Sequence, residues 1–261
     1  MAIGIDRLTL MIGDAAALAE FYCEALGFRP GVAPHSGALS ILLTVGHESI
    51  ELVESAGVGL AQAAAKANET TFQHFAIVVS DMDAAFRRLN RAKGWQAISR
   101  VGPQRLPASS GGVTAFKFRD PEGHPLELLA FDPGATPDPW KGRAQDGLFL
   151  GIDHTAITVA DTAASLAFYS RLGFRQFGGS LNQGLEQDRL DALDQTRVEV
   201  TALALPRQTP HLELLCYHHP LAKYAQVADH DIAATRIVLS GSGDPVASTR
   251  DPDGHRLNHF A

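Results

Sequence analysis

Four segments of the chain each carry a polar residue in an apolar stretch near the start and another in an apolar stretch near the end. The pairs are Arg7 and Glu51, His74 and Glu127, His154 and Glu213, and Arg236 and Asn258. The two pairs of histidine and glutamate have the side chains best suited to bind a metal ion. A charged side chain in an apolar strand is costly unless it is paired or bound to a metal. Two segments that fold together would bring two residues of each kind to one point, and two imidazoles with two carboxylates would bind one divalent cation there.

Three of these segments begin with the same succession of local patterns. They are Ile5–Phe28, Phe72–Trp95 and Ile152–Phe174, and each has about eight apolar or β-branched residues, an aspartate, a helical stretch and a glycine. The aspartate is typical of a helix N-cap and the glycine of a left-handed C-cap. The predicted N-caps are Asp14, Asp81 and Asp161, and the predicted C-caps are Gly27, Gly94 and Gly173.

Strand-like sequence follows each helix, which gives an α+β fold built from βαβββ modules. The fourth module is truncated, because 22 residues separate Arg236 from Asn258, against 44 to 59 between the corresponding residues of the other three. The predicted modules span 1–54, 72–131, 148–217 and 232–261. The first two form an N-terminal half (1–131) and the last two a C-terminal half (148–261), and a linker rich in Pro and Gly, 132–147, joins the halves.

The stretch HTAITVADTAASLAFYSRLGF, from His154 to Phe174, fits the opening signature of glyoxalase I. The chain resembles the vicinal oxygen chelate superfamily, which includes glyoxalase I, bleomycin and fosfomycin resistance proteins, and extradiol dioxygenases. The resemblance implies modules paired into two cupped, incomplete mixed β-barrels, with one divalent metal ion (Ni, Zn, Co, Mn or Fe) held by first and last strands. The matching ligand positions are His74, Glu127, His154 and Glu213, here called the quartet.

The pairing of the modules decides whether the quartet meets. If the first module pairs with the second, Arg7 lies beside the metal, and a guanidinium about 5 Å from a divalent ion repels it by roughly 7 kcal/mol at an effective dielectric constant near 20. If the second pairs with the third and the first with the fourth, one cup holds the quartet and the other a metal-free set with a structural ion pair between Arg7 and Glu51. The second arrangement is preferred, and exchange of modules within a dimer would give an equivalent one.

The resemblance implies a metal-dependent lyase or isomerase of the glyoxalase type, acting on a small substrate with vicinal oxygens through a metal-bound enediolate. Glu127 or Glu213 would be the base. His211 lies two residues before Glu213 and faces the same side of a strand, so it is expected to contact the site without binding the metal.

Two other functions stay open. An extradiol dioxygenase would use two histidines and one glutamate to hold Fe(II), but Lys117 stands where that class has a tyrosine, and the stretch expected to supply a further histidine, 108–111, has none. A non-catalytic protein that binds or sequesters a small molecule is the third class, although such proteins tend to lack the ligand set.

Composition narrows the class of partner. The 261 residues carry 22 basic and 29 acidic side chains, a net charge of −7, which argues against nucleic acid as the main partner.

Other features of the sequence bear on where the protein is found. Cys23 and Cys216 cannot make a disulfide framework, and no apolar run reaches the roughly 20 residues of a membrane-spanning helix. With no secretory pattern at the start, we expect a cytoplasmic monomer or homodimer that acts on a small molecule.

Overall fold

The computed structural model describes residues 3–32, 40–55, 65–241 and 248–260, in which two mixed β-sheets carry short helices on one face. The helices are α1 (Ala15–Leu26), α2 (Met82–Leu89), α3 (Thr162–Arg171) and α4 (Leu185–Asp191). The strands are β1 (Gly4–Ile12), β2 (Arg29–Pro30), β3 (Ser40–Val45), β4 (Glu48–Glu54), β5 (Gln73–Val79), β6 (Gln96–Ala97), β7 (Gln104–Arg105), β8 (Thr114–Arg119), β9 (Pro125–Ala130), β10 (Phe149–Val159), β11 (Arg175–Gln183), β12 (Arg197–Ala204), β13 (His211–His219), β14 (Arg236–Ser240), β15 (Ser248–Arg250) and β16 (Arg256–Phe260).

Each sheet joins modules from opposite halves of the chain. The seven-stranded sheet has the order β15-β16-β14-β1-β4-β3-β2, and the nine-stranded sheet has the order β11-β12-β13-β10-β5-β9-β8-β6 with β7 beside β8. The predicted pairing of the second module with the third, and of the first with the fourth, is therefore confirmed. The α+β class and the incomplete barrels are also confirmed, because neither sheet closes on itself within the described residues. The division into halves at 132–147 stays a prediction.

The two faces of the strands have different roles. The opening strand of every module pairs in parallel with the closing strand of the same module and antiparallel with the opening strand of the partner module. Because side chains alternate along a strand, Ile77 and Ile157 point away from His74 and His154. Both isoleucines are fully buried in a hydrophobic cluster that includes Leu18 and Tyr22 of α1. Packing against helices thus leaves the other face free to form the cup.

The predicted N-caps are confirmed, and the predicted C-caps are confirmed only in part. Asp14, Asp81 and Asp161 each accept hydrogen bonds from backbone N–H groups in the first turn of α1, α2 and α3. Gly27 ends α1 in the left-handed conformation, with φ at 72°. The C-cap of α2 is Asn90, so the prediction was wrong at Gly94, which has positive φ in the turn that follows. Gly173 ends α3 as predicted: it directly follows Leu172 with φ at 90°, and it donates to the Ser170 carbonyl while Phe174 donates to that of Tyr169.

Two buried turns connect modules of the same half. Asp120 accepts a hydrogen bond from the Tyr22 hydroxyl at 2.9 Å, and it also accepts from the backbone N–H of His124. Asp251 in the equivalent DPDGH turn accepts from the Tyr169 hydroxyl at 3.1 Å. These bonds attach the turn of one module to the helix of its neighbour along the chain.

The part of the chain that the structure describes contains no helix with the length and apolar character of a membrane span.

Candidate metal centre

The quartet lies on four adjacent strands at the middle of the nine-stranded sheet. In the register, Ala76 on β5 faces both His154 on β10 and Glu127 on β9. Ala156 on β10 likewise faces His74 on β5 and Glu213 on β13. Each alanine is fully buried between a histidine and a glutamate. Because neighbours across strands share a face, the register brings all four predicted side chains to one side of the sheet.

The half of the quartet from the second module is held tightly. His74 Nε2 lies 3.0 Å from Glu127 Oε2, and both side chains are buried. The other ring nitrogen, His74 Nδ1, is buried and has no hydrogen-bond partner among the described residues. The His74 and His154 rings meet edge to face with their centroids 5.8 Å apart. The hydrogen bond to Glu127 therefore helps to orient the His74 ring, with Nε2 on the side of Glu127.

The half from the third module is more open and has more partners. His154 Nε2 lies 3.6 Å from Glu213 Oε2, and His211 Nε2 lies 3.5 Å from Glu213 Oε1. On its other side, His154 Nδ1 bonds Asp153 Oδ2 at 3.0 Å. The Trp140 indole N–H donates to the second oxygen of Asp153. A carboxylate on the far nitrogen of a histidine is the arrangement that orients metal-binding imidazoles.

The protonation states of the quartet reflect its burial and its charges. Burial and the nearby Lys117 ammonium lower the pKa of His74, which favours the neutral form that binds metals. Burial also opposes charge on His154, but Glu213, Asp153 and Glu127 outweigh it and raise the pKa of His154 to about 9. In the same way burial is outweighed at Glu213, where His154 and His211 lower the pKa to about 2. Without a metal, the proton on His154 supplies positive charge to the site.

The donor set fits a divalent cation. The ligand atoms of His74, Glu127 and His154 all lie within 4.8 Å of one another, whereas ligands bound at about 2.1 Å to one ion lie within roughly 4.2 Å of each other. Small side-chain movements would close that gap. The carboxylates near the centre are Glu127, Asp153 and Asp191, which are buried, and Glu213, which is partly exposed. Among the described residues, the positive charges beside them are the Lys117 ammonium and the proton on His154. This excess of negative charge favours a cation.

A cavity of about 1070 Å³ opens over the quartet. Its floor consists of the quartet with Asp153, His211, Lys117 and Tyr217. Its walls are mostly apolar, with Leu106, Val113, Leu129, Phe177, Val198 and Leu215 among them. Phe177 is exposed at one wall, and its ring meets His211 edge to face at 5.2 Å between centroids. Apolar walls around a few convergent polar groups are typical of a small-molecule site.

One end of the floor contains a buried polar group that the sequence analysis did not include in the site. Asp191, the last residue of α4, binds Lys117 Nζ at 2.7 Å through Oδ1. Through Oδ2 it accepts hydrogen bonds from Gln187 Nε2 at 2.7 Å and from the Tyr217 hydroxyl at 2.9 Å. We call Lys117, Gln187, Asp191 and Tyr217 the Asp191 cluster. The one sequence signal was Lys117, a charge between Phe116 and Phe118 in β8 and directly opposite Glu127.

The seven-stranded sheet has a different set of residues at the equivalent positions. Arg7 Nε donates to Glu51 Oε2 at 2.8 Å, and Arg7 also contacts Asp6. Arg236 donates to the backbone oxygen of Asp229, and Asn258 Oδ1 is buried with no hydrogen-bond partner from the described ranges. The guanidinium of Arg7 therefore takes the place beside a glutamate that His74 and His154 take in the other sheet.

Comparison with known proteins agrees with this architecture. The model of the Glyoxalase/Bleomycin resistance protein/Dioxygenase superfamily matches residues 4–128 and 151–258. Glyoxalase I from Zea mays has a similar structure, with a TM-score of 0.62 at 17% identity over 99% of this chain and 92% of that chain. A Bacillus subtilis protein provisionally named a dioxygenase gives 0.60 at 14% identity over 99% and 84%. A search among curated proteins found no match. At these identities the two structures support the fold alone.

Proposed function

Since this chain belongs to the glyoxalase, bleomycin resistance protein and dioxygenase superfamily, we propose that it is a metal-dependent enzyme of the glyoxalase-like lyase or isomerase type. The substrate in this proposal is a small molecule with two vicinal oxygens. The observation that carries it is the meeting of His74, Glu127 and His154 at the floor of a large cavity, with Glu213 3.6 Å from His154 beside them. The excess of buried carboxylates around them supports a bound divalent cation.

The four side chains of the quartet would hold the ion, which when bound acts as a Lewis acid on two adjacent substrate oxygens. The protein must then move a proton on the neighbouring carbon, and we assign this to Glu213. Its side chain is 21% exposed, against 7% for Glu127, and its two histidine contacts are 3.5 and 3.6 Å long. Glu127 is held by His74 at 3.0 Å, so it would stay fixed as a ligand while Glu213 is free to move.

His211 and Asp153 have supporting roles in this proposal. Asp153 fixes the ring of His154 through Nδ1 and is itself held by Trp140. His211 contacts Glu213 and lines the cavity, so it can take up the proton that Glu213 removes or return it. Neither needs to bind the ion.

A dioxygenase is the second candidate, and a specific observation favours it. His74, His154 and Glu127 form a group of two histidines and one carboxylate with converging ligand atoms, which is the set that holds Fe(II) in non-haem oxygenases. Glu213 weighs against it, because a fourth ligand would occupy a position that dioxygen needs. A binding protein without catalysis is the third candidate. The cytoplasmic location and the monomeric or dimeric state remain predictions.

The test is elemental analysis of untagged protein purified without chelators. We expect about one divalent ion per chain in the wild type and a loss of at least tenfold in His154→Ala. His47→Ala is the matched control, because His47 is exposed in the turn between β3 and β4 of the other sheet. Equal metal content in the wild type and His154→Ala would refute the metal assignment.

The identity of the ion separates the candidates. Nickel, zinc, cobalt or manganese supports the lyase or isomerase. Iron that is lost in air, together with oxygen uptake on catechols, supports the dioxygenase. Protein that neither contains a divalent metal nor binds one on addition supports the binding protein.

A further inference from the structure

The Asp191 cluster has hydrogen-bonding capacity that its own members do not satisfy. The Lys117 ammonium has three donors, but among the described residues Asp191 is the one acceptor within hydrogen-bond range, because Glu127 Oε2 is 3.9 Å away. Gln187 uses its Nε2 on Asp191, and its Oε1 is buried with no hydrogen-bond partner in the part of the chain that the structure describes. Both residues are less than 5% exposed and line the cavity. A donor and an acceptor at the same end of the floor are thus not satisfied by these residues.

The shared carboxylate holds these two groups near each other, since Lys117 binds one oxygen of Asp191 and Gln187 the other. A hydroxyl group both accepts and donates, so it complements an ammonium donor next to a carbonyl acceptor. We propose that Lys117 and Gln187 bind one uncharged hydroxyl group of the substrate, in addition to the two vicinal oxygens that face the ion. This inference rests on the proposed function.

The charges nearby explain why the group is a hydroxyl and not a carboxylate. When the ion is bound and His154 is neutral, the ion and the Lys117 ammonium together compensate three of the four carboxylates at the floor. One negative charge is left, and it disfavours a further anion in a buried site. The substrate class is therefore a hydroxylated compound in which a third oxygen lies close to the two chelating ones.

Three hydroxamates test this with protein loaded with Co²⁺. Acetohydroxamate presents two vicinal oxygens, glycolohydroxamate adds one hydroxyl, and malonohydroxamate carries a carboxylate at a similar place. By calorimetry we expect glycolohydroxamate to bind about ten- to a hundredfold more tightly than acetohydroxamate, as for a hydrogen bond that includes a charged donor. Malonohydroxamate should bind more weakly than glycolohydroxamate.

The variants localise the effect. In Gln187→Met the preference for glycolohydroxamate should disappear while the affinity for acetohydroxamate stays within about twofold, and Gln187→Leu is the second variant with the same expectation. Gln208→Met is the control, because Gln208 is a cavity amide outside the Asp191 cluster. Equal wild-type affinities, a preference that survives in Gln187→Met, or tighter binding of malonohydroxamate would overturn the inference and leave the proposed function standing. If the Co²⁺ protein binds no hydroxamate, the chelation in the proposed function is wrong, and the inference fails with it.

Discussion

Glu127 and Glu213 occupy equivalent places in the repeat, but their surroundings differ. Glu127 is buried between His74 and Lys117, whereas Glu213 is partly exposed to the cavity and has longer contacts. We expect Glu213→Gln to keep most of the metal and to lose about 10²- to 10⁴-fold in proton transfer. Glu127→Gln should lose the metal itself. Deuterium exchange at the hydroxymethyl carbon of hydroxyacetone in D₂O, with metal content measured on the same samples, checks both. The reverse pattern would exchange the two roles.

His154 makes the stability of metal-free protein depend on pH. Its pKa is about 9 in the folded chain against about 6.5 unfolded, so its contribution is complete below pH 6.5 and is lost as the pH rises through 9. Glu213 has a pKa of about 2 in the folded chain against about 4.3 unfolded. It therefore stabilises the fold above pH 4.3, and this stabilisation is lost as the pH falls toward 2. We expect the free energy of unfolding after chelator treatment to fall by about 3 kcal/mol between pH 6.5 and 9.

Urea titrations across that range measure the slope, with His154→Gln as the comparison. The variant should lose most of the pH dependence, and metal-loaded wild type should lack it because a bound ion displaces the proton. A wild-type slope that persists unchanged in His154→Gln would assign the effect to another group.

At the residue scale the quartet could be predicted because repeated segments put the same residue types at the same positions. Trp140 and Asp153 were missed, although they hold His154 in place. Trp140 lies in the predicted linker, and a contact between a linker and a strand leaves no periodic pattern. Asp153 directly precedes His154, but a glutamine, Gln73, precedes His74, so the repeat gave no signal at this position.

Among the elements, α4 is attached to the sheet in part through one buried charge. Asp191 binds Lys117 of β8 and Tyr217 of β13, and it also binds Gln187 within α4. Asp191→Asn would leave the Lys117 ammonium buried without its partner, a change that typically costs 3–5 kcal/mol. Asp138→Asn removes the exposed ion pair with Lys141 and should leave the urea midpoint unchanged. Similar midpoints for the two variants would contradict this role of Asp191.

The strands and helix starts could be read from local sequence, whereas the helix ends were less certain. A side-chain cap such as Asp81 acts within three residues, so its signal is local. The end of α2 depends on where the chain turns after Asn90, and Gly94 serves that turn four residues later. Tertiary packing sets this difference, and single-residue preferences do not contain it.

For the whole molecule, the sequence allowed two ways of pairing the four modules. Electrostatics favoured the one in which the second module pairs with the third and the first with the fourth. The cost of Arg7 beside a metal pointed to the cross-half arrangement, which the strand order confirms. The volume of the cavity and the Asp191 cluster could not be predicted from the sequence. Both depend on how the edge strand β11 and the helix α4 are placed around the cavity.

Dividing the chain tests the cross-half arrangement. The fragment 1–131 contains His74 and Glu127, and the fragment 132–261 contains His154 and Glu213 with Trp140. We expect neither fragment alone to bind a divalent ion with the affinity of the full chain, and co-expression to restore it, as measured by calorimetry with Co²⁺. Full affinity in one fragment would show that the quartet is not the site.

The order of the strands also has a consequence during synthesis. β5 leaves the ribosome long before β13, and the two lie on either side of β10 in the finished sheet. A nascent chain therefore carries His74 without the later members of the quartet until most of the chain has been synthesised. If the quartet binds an ion as proposed, the complete site forms late in synthesis, after β13 has joined the sheet.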